Sequence, residues 1–337
     1  MKKIIVFLLV AAMAFSLVAC GSQSSSEADT GKKVVLKLNI GENEEHGQGV
    51  MISTFKNEVE ILSGGQIEVQ LFFSSSLYNP DATLPAVKNG ELEMTATSFQ
   101  LTADYYAPIS MFSSPFLFKN YDHMRAVMSS EIGENLAEQV KETAGYYPLG
   151  YYYNGSRQLN LTSEEPVMTP EDMSGVILRM PNAEAWLHVG KALGASVAPL
   201  AYSEVYTALQ TGTIDAQDNP LPAVNTMKFY EVTKQISLTN HIVDAGLLVI
   251  NNKVWDSMTE EQQGWVKAAA ATAVAACDDI MVKQEQELLS FFEEQGLVIV
   301  NPDQNAFAEY AQNYYTENGL TADWDMDLYA RIRAMAD

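Results

Sequence analysis

The chain has 337 residues, with 43 Asp and Glu against 20 Lys and Arg, and a formal net charge of -23 at pH 7. A surface this acidic repels nucleic acid and anionic membrane faces, so neither is an expected partner, and an anionic ligand has to be held by a few placed cations. Two cysteines and four scattered histidines give neither a disulfide framework nor zinc-like spacing, so no metal and no cofactor is expected.

Lys2 and Lys3 precede a nearly unbroken apolar run over residues 4–17. The run is too short to span a bilayer core of roughly 30 Å as a helix, but it suits the apolar region of a signal peptide. It ends in Leu17-Val18-Ala19-Cys20, which has the form of a lipobox. Residues 1–19 are therefore expected to be cleaved, and Cys20 to carry lipid. Residues 20–33 read as a flexible leash, small and polar with nothing to bury. At up to 3.3–3.6 Å per residue, about thirteen leash residues keep the body within roughly 45 Å of the membrane. Losing Lys2 and Lys3 takes the mature chain from -23 to -25. The body is expected outside the cytoplasm, lipid-anchored to the cell membrane.

About 318 residues remain after cleavage, long for one core and suggestive of two lobes. Residues 34–40 alternate as a half-buried strand, and 50–62 follow with helical periodicity up to Ser63-Gly64-Gly65. A second strand over 67–73, a helix from Asn79-Pro80-Asp81 to Val87 and a third strand over 91–97 give a βαβαβ rhythm, which predicts a mostly parallel sheet. Residues 121–143 read as one helix and 146–153 as an aromatic strand. From Gly155 the rhythm restarts, with strands over 176–180 and 196–199, helices over 182–193 and 203–210, and a strand after Gly212. A strand over 247–251 returns to the first lobe. The stretch 259–295 opens with the capping box Thr259-Glu260-Glu261-Gln262, holds no proline and stops at Gly296. At 1.5 Å per residue it makes a helix about 50 Å long, enough to run along both lobes. Cys277, alone in an alanine-rich part of that helix, reads as a small core residue.

The expected fold is α/β and two-lobed, with hinge strands and the long helix running across both lobes. Residues 34–154 plus 243–282 form lobe I, and 155–242 plus 283–337 form lobe II.

Gly47-Gln48-Gly49 is a near miss to a dinucleotide fingerprint, because the third glycine position holds Ile52; it reads as a strand-to-helix turn. No nucleophile elbow, Walker loop, HExxH or CxxC motif occurs, so catalysis has no motif to rest on.

The informative stretch runs from Asn154 to His241. It contains Asn154-Gly155-Ser156-Arg157, Gly175-Val176-Ile177-Leu178-Arg179-Met180-Pro181-Asn182 and Leu200-Ala201-Tyr202-Ser203-Glu204-Val205-Tyr206-Thr207-Ala208-Leu209-Gln210-Thr211-Gly212. Asp215-Ala216-Gln217-Asp218-Asn219-Pro220 and Thr239-Asn240-His241 complete it, and Pro115-Phe116-Leu117-Phe118 with His123 lies upstream. These segments resemble the solute-binding proteins of TRAP transporters, the DctP type, over essentially the whole mature chain. The resemblance implies a periplasmic-binding-protein-like fold and no enzymatic activity. It also implies a small carboxylate ligand and two membrane subunits, small and large, as partners.

Carried over by motif, Arg179 is the family's carboxylate clamp, a role that suits a planar fork able to grip a carboxylate with two parallel hydrogen bonds. Asn219 and Asn182 match polar ligand contacts, and Tyr202 stands where the family has an aromatic against the ligand. Arg157 and His241 match a buried network coupling ligand to closure, whose third member is Asp218 where the family usually has Glu. In the first lobe, the loop 43–46, with His46, and the end of the third strand, with Ser98, are expected to face the cleft. Sialic-acid-binding members carry Glu and Arg where Ser98 and Leu101 stand here, which argues against sialic acid. A sugar acid, uronate or aldonate, is the first choice of ligand, and a C4-dicarboxylate or keto acid the second; a sensor presenting the same closed form to a receptor is a second class of reading, and an extracytoplasmic hydrolase or isomerase a third, which the missing nucleophile and metal motifs count against.

Overall fold

The computed structural model describes residues 33–336, so the expected signal peptide, Cys20 and nearly all of the leash lie outside the described residues. Ten strands occur among the described residues: β1 (Val34–Asn39), β2 (Ile67–Phe72), β3 (Met94–Ser98), β4 (Tyr146–Leu161), β5 (Ile177–Met180), β6 (Ser196–Pro199), β7 (Ala216–Pro220), β8 (Gln235–Ser237), β9 (Val243–Asn251) and β10 (Val298–Val300). Their order is β2-β1-β3-β9-β4-β7-β5-β6, with β8 paired to β4 and β10 to β8. β1, β2 and β3 run parallel, as do β5, β6 and β7, in keeping with the βαβ rhythm. β9 and β4 join the two halves as antiparallel members, which the rhythm alone does not show.

β4 is the seam. The sequence suggests a strand ending at Tyr153 and a fresh start at Gly155, but the strand runs on for 16 residues. It pairs with β9 as far as Ser156↔Val243 and with β7 from Arg157↔Pro220 onward. The register slips between Tyr153 and Gly155, and Gly155 sits at φ +105. That angle belongs to glycine, and an added Cβ would lie 2.5 Å from Pro220 Cβ. Gly155→Ala is thus expected to cost about 1–3 kcal/mol of stability, read as a lowered urea midpoint.

The long helix, Glu260–Glu294, has the reciprocal cap expected of it: Gln262 N donates to Thr259 Oγ1 at 3.2 Å and Thr259 N to Gln262 Oε1 at 3.1 Å. Its first half buries Val266, Ala269, Ala270, Ala273, Cys277 and Met281 in a core shared with β1, β3 and β9. Its second half buries Leu288 and Phe292 in a separate core with Val205, Leu209 and Phe229. One helix thereby serves both lobes. It is also fastened to the seam: Asp278 Oδ1 accepts from Tyr153 N at 2.7 Å, and Glu285 accepts from Ser156 N and, at 2.6 Å, from the Tyr153 hydroxyl. Ile332, which the sequence reading groups with the second lobe, buries in the first core instead.

Two further differences have local causes. The helix read as 50–62 begins at Gly47, because the His46 side chain accepts from Gln48 N and caps it three residues earlier. Gly47 and Gly49 lie inside that first turn, where added Cβ atoms would lie 2.5 Å from Met281 Sδ and 2.2 Å from Asn43 O; glycine there permits close packing. The helix read over 121–143 is two, Tyr121–Met128 and Glu131–Ala144, because Ser130 caps the second by accepting from Ile132 N. Among the described residues no helix is long and apolar enough to cross a membrane.

Candidate functional site

A cavity of about 130 Å³ lies where the two lobes meet the seam. Glu42, Thr97, Ser98 and Leu101 line it from the side of β1 and β3, Asn154 and Asp244 from the seam, and Arg157, Arg179, Trp186, Tyr202 and Asn219 from the other side.

Two arginines dominate it, each only 3 % exposed, in opposite electrostatic situations. Arg157 opens the β7-paired part of β4. Its Nε donates to Asp218 Oδ2 at 2.7 Å, and its terminal nitrogens donate to Asp244 Oδ2 at 2.9 Å, Asp218 O at 2.7 Å and Asn219 Oδ1 at 3.3 Å. The guanidinium also lies 4.4 Å from the Trp186 ring centroid, a cation–π contact. Burial alone would pull its pKa down, but the charges of Asp218 and Asp244 overcome this and raise it. The charge of Arg157 is thus balanced by protein carboxylates.

Arg179, on β5, is not. Its Nε donates to Leu200 O at 2.8 Å, and among the described residues no carboxylate comes within the 4 Å of an ion pair. Burial pulls the guanidinium down to about 10, and the more distant charge of Asp218 only partly offsets that. The group stays cationic at neutral pH. A buried cation without a counter-ion is costly, and an anion entering the cavity removes the cost.

The remaining polar groups form a chain. Gln48 Nε2 donates to Asn154 Oδ1 at 3.1 Å, and Asn154 Nδ2 to Asp244 Oδ2 at 3.1 Å; Arg157 follows, then Asp218. Asp218 Oδ2 lies 3.1 Å from His241 Nε2, whose Nδ1 lies 2.8 Å from Thr239 Oγ1. The aspartate thus reaches both Arg157 and His241 directly despite lacking a methylene relative to glutamate. Burial works to raise the Asp218 carboxyl, but Arg157 and the His241 hydrogen bond hold it well below the usual range. Asp244 is the reverse case: burial outweighs Arg157 and Asn154 and raises it.

Of the residues singled out in the sequence, Arg179, Arg157, Asn219, Tyr202 and Ser98 line the cavity, and Asp218 and His241 lie fully buried behind it. Asn182 is exposed and outside the lining, which takes Pro181 instead. His46 is likewise outside, occupied as a helix cap with Nδ1 accepting from Gln48 N at 3.2 Å. Within the loop 43–46, Glu44 and Glu45 face outward, and Asn43 Oδ1 accepts from the backbone of Glu45 and His46. The wall is instead supplied by Glu42, one residue earlier. Asp244 also escaped the sequence reading; an acid within the apolar run Val243–Asn251 was the available signal.

The model of the family "bacterial extracellular solute-binding protein, family 7" (DctP) matches residues 39–319. The sialic acid-binding periplasmic protein SiaP of Vibrio cholerae is 31% identical over 302 residues, covering 90% of this chain and 92% of that protein. A TRAP periplasmic solute binding protein from Roseobacter denitrificans, crystallised with 3-deoxy-D-manno-oct-2-ulosonic acid, superposes with a TM-score of 0.86 at 37% identity, covering 90% of this chain and 99% of that one. A second protein from that organism, with bound L-galactonate, superposes at 0.82 and 29% identity, covering 91% and 99%.

Proposed function

The chain belongs to the DctP family of bacterial extracellular solute-binding proteins, family 7, and from that membership we propose that it captures a sugar acid in the Arg179 cavity and delivers it to TRAP membrane subunits. The observation that carries this reading is Arg179, a buried cation with donors to spare and, among the described residues, no carboxylate within ion-pair distance. A planar guanidinium in a low-dielectric cleft grips a carboxylate with two charge-assisted hydrogen bonds, and exclusion of water strengthens both. The cavity of about 130 Å³ suits one small acid, and its lining of Thr97, Ser98, Tyr202 and Asn219 offers hydrogen bonds to hydroxyls. Relatives crystallised with an octulosonic acid and with L-galactonate support the sugar-acid class. Ser98 and Leu101 in the wall continue to argue against sialic acid.

In this reading residues 34–154 with 243–282, together with the C-terminal helix Met326–Ala334 that carries Ile332, move against 155–242 with the rest of 283–337. The flexing points are the Gly155 bulge of β4 and the connection from β8 to β9. Glu285 and Asp278 hold the long helix to that bulge, so the helix bends with the seam. The relatives are solute-binding proteins, which supports a binder rather than an enzyme. Lipid on Cys20 keeps the clamp within reach of its transporter.

A thermal-shift screen over uronates, aldonates, C4-dicarboxylates and keto acids tests the reading. A hydroxylated monoacid is expected to raise the melting temperature in proportion to the logarithm of its concentration. A shift from C4-dicarboxylates alone would replace the sugar-acid assignment, and no shift with any acid would overturn the clamp. His46→Ala serves as a contrast: loss of the helix cap is expected to lower stability by about 1–2 kcal/mol while the dissociation constant stays within about twofold, read by calorimetry.

A further inference from the structure

We propose that the wall opposite the clamp, built on Glu42 and Thr97, reads hydroxyl donors on the ligand and rejects a second carboxylate. The inference rests on the sugar-acid reading above and concerns the other end of the same cavity.

Glu42 is 9 % exposed and Thr97 4 %, and both line the cavity. Glu42 Oε2 and Thr97 Oγ1 are buried and lack a hydrogen-bond partner of good geometry, and the buried Tyr202 hydroxyl faces the Glu42 carboxylate. Among the described residues no Lys, Arg or His nitrogen lies within ion-pair distance of Glu42. Glu42, Thr97 and Tyr202 all line the one cavity, so each offers hydrogen-bonding capacity there in a protein interior where buried polar groups are nearly always partnered.

Tyr202 orders the cavity. Its ring centroid lies 5.7 Å from the Arg179 guanidinium carbon. Burial raises its hydroxyl well above the ordinary range, and the facing Glu42 carboxylate raises it further. The sequence across the cleft is therefore Arg179, Tyr202, Glu42, with a cation at one end and an anion at the other.

These three groups select a chemistry. The Glu42 carboxylate only accepts, whereas the Thr97 and Tyr202 hydroxyls both donate and accept. A polyol end supplies donors and acceptors together and satisfies all three. An ammonium supplies donors only, and leaves the hydroxyl protons of Thr97 and Tyr202 without acceptors from the ligand. A second carboxylate supplies acceptors only and sets an anion against Glu42 with no cation between them.

Calorimetry on the full chain with D-galacturonate, L-galactonate, 6-amino-6-deoxy-D-gluconate, succinate and galactarate, the last a six-carbon chain with carboxylates at both ends, tests this. The expected result is binding of a hydroxylated monoacid, with galactarate and succinate at least 100-fold weaker. Glu42→Gln is expected to narrow the gap between galactarate and the monoacid at least tenfold, and Thr97→Val to weaken the monoacid with little change for galactarate. Galactarate or succinate binding to the wild type within threefold of the monoacid would overturn the wall's role and leave the Arg179 clamp standing. 6-Amino-6-deoxy-D-gluconate, whose ammonium lies at the end remote from the carboxylate, binding more tightly than D-galacturonate or L-galactonate would overturn the hydroxyl assignment in favour of an ammonium. Because the wild-type ratio needs no variant, a variant that misfolds does not block the test. Loss of binding by every acid falls on the clamp itself and sinks both readings.

Discussion

Arg179→Met is expected to abolish acid binding without destabilising the empty protein. Two charge-assisted hydrogen bonds in a dry cleft are worth about 1.5–3 kcal/mol each, so the dissociation constant should rise by roughly 10²–10⁴-fold. The empty protein should behave differently. Arg179 is almost fully buried, burial lowers its pKa to about 10, and among the described residues no carboxylate pairs with it. Removing an uncompensated buried charge in favour of an apolar chain of similar length leaves stability unchanged or raises it by about 1–3 kcal/mol. Urea unfolding without ligand and calorimetry with it separate the two effects. Arg179→Lys keeps the charge and loses the planar fork, so its affinity should fall between wild type and Arg179→Met. Equal loss of stability and affinity in Arg179→Met would make the arginine a structural residue.

The alternation of strands and helices, the capping box at Thr259 and the glycine stop at Gly296 are local signals, and they placed the α/β class and the long helix. The partner exchange of β4 at Arg157 is not local: which strand pairs beyond Ser156 depends on β7 and β9, some sixty to ninety residues away. A strand read from its own residues therefore ended at the Gly155 bulge. The site divides the same way. Arg157, Arg179, Asp218, Asn219 and His241 lie in motifs dense enough to be read along the chain. Glu42 and Asp244 are single acids in otherwise unremarkable segments, and only the fold brings them to the cavity. His46 illustrates the opposite error, because a histidine beside a cleft looks like a ligand contact until its Nδ1 is found accepting from Gln48 N. Asn182 follows the clamp strand closely in sequence, yet the chain turns outward after Pro181 and leaves it exposed.

Arg157→Met should do to stability what Arg179→Met does not. The two arginines are equally buried, but Arg157 neutralises Asp218, fully buried, and Asp244, 2 % exposed. Its removal strands two carboxylates in the interior, and breaking a buried pair from one side costs about 3–5 kcal/mol. The pH dependence gives a second readout. In the wild type Arg157 and His241 hold Asp218 below its unfolded value of about 3.9, so this contribution is present above that value and is lost only as the pH falls through the lower folded pKa. Without Arg157, burial dominates at both acids and raises their folded pKa values. The folded variant then binds more protons than the unfolded chain above pH 3.9, so its stability rises as the pH falls from neutrality toward the carboxylate range. The deficit relative to wild type should therefore be largest near pH 7 and shrink toward pH 5, measured by urea unfolding at both. A deficit independent of pH would mean that the packing of Arg157 over Trp186, and not its charge, is what the seam requires.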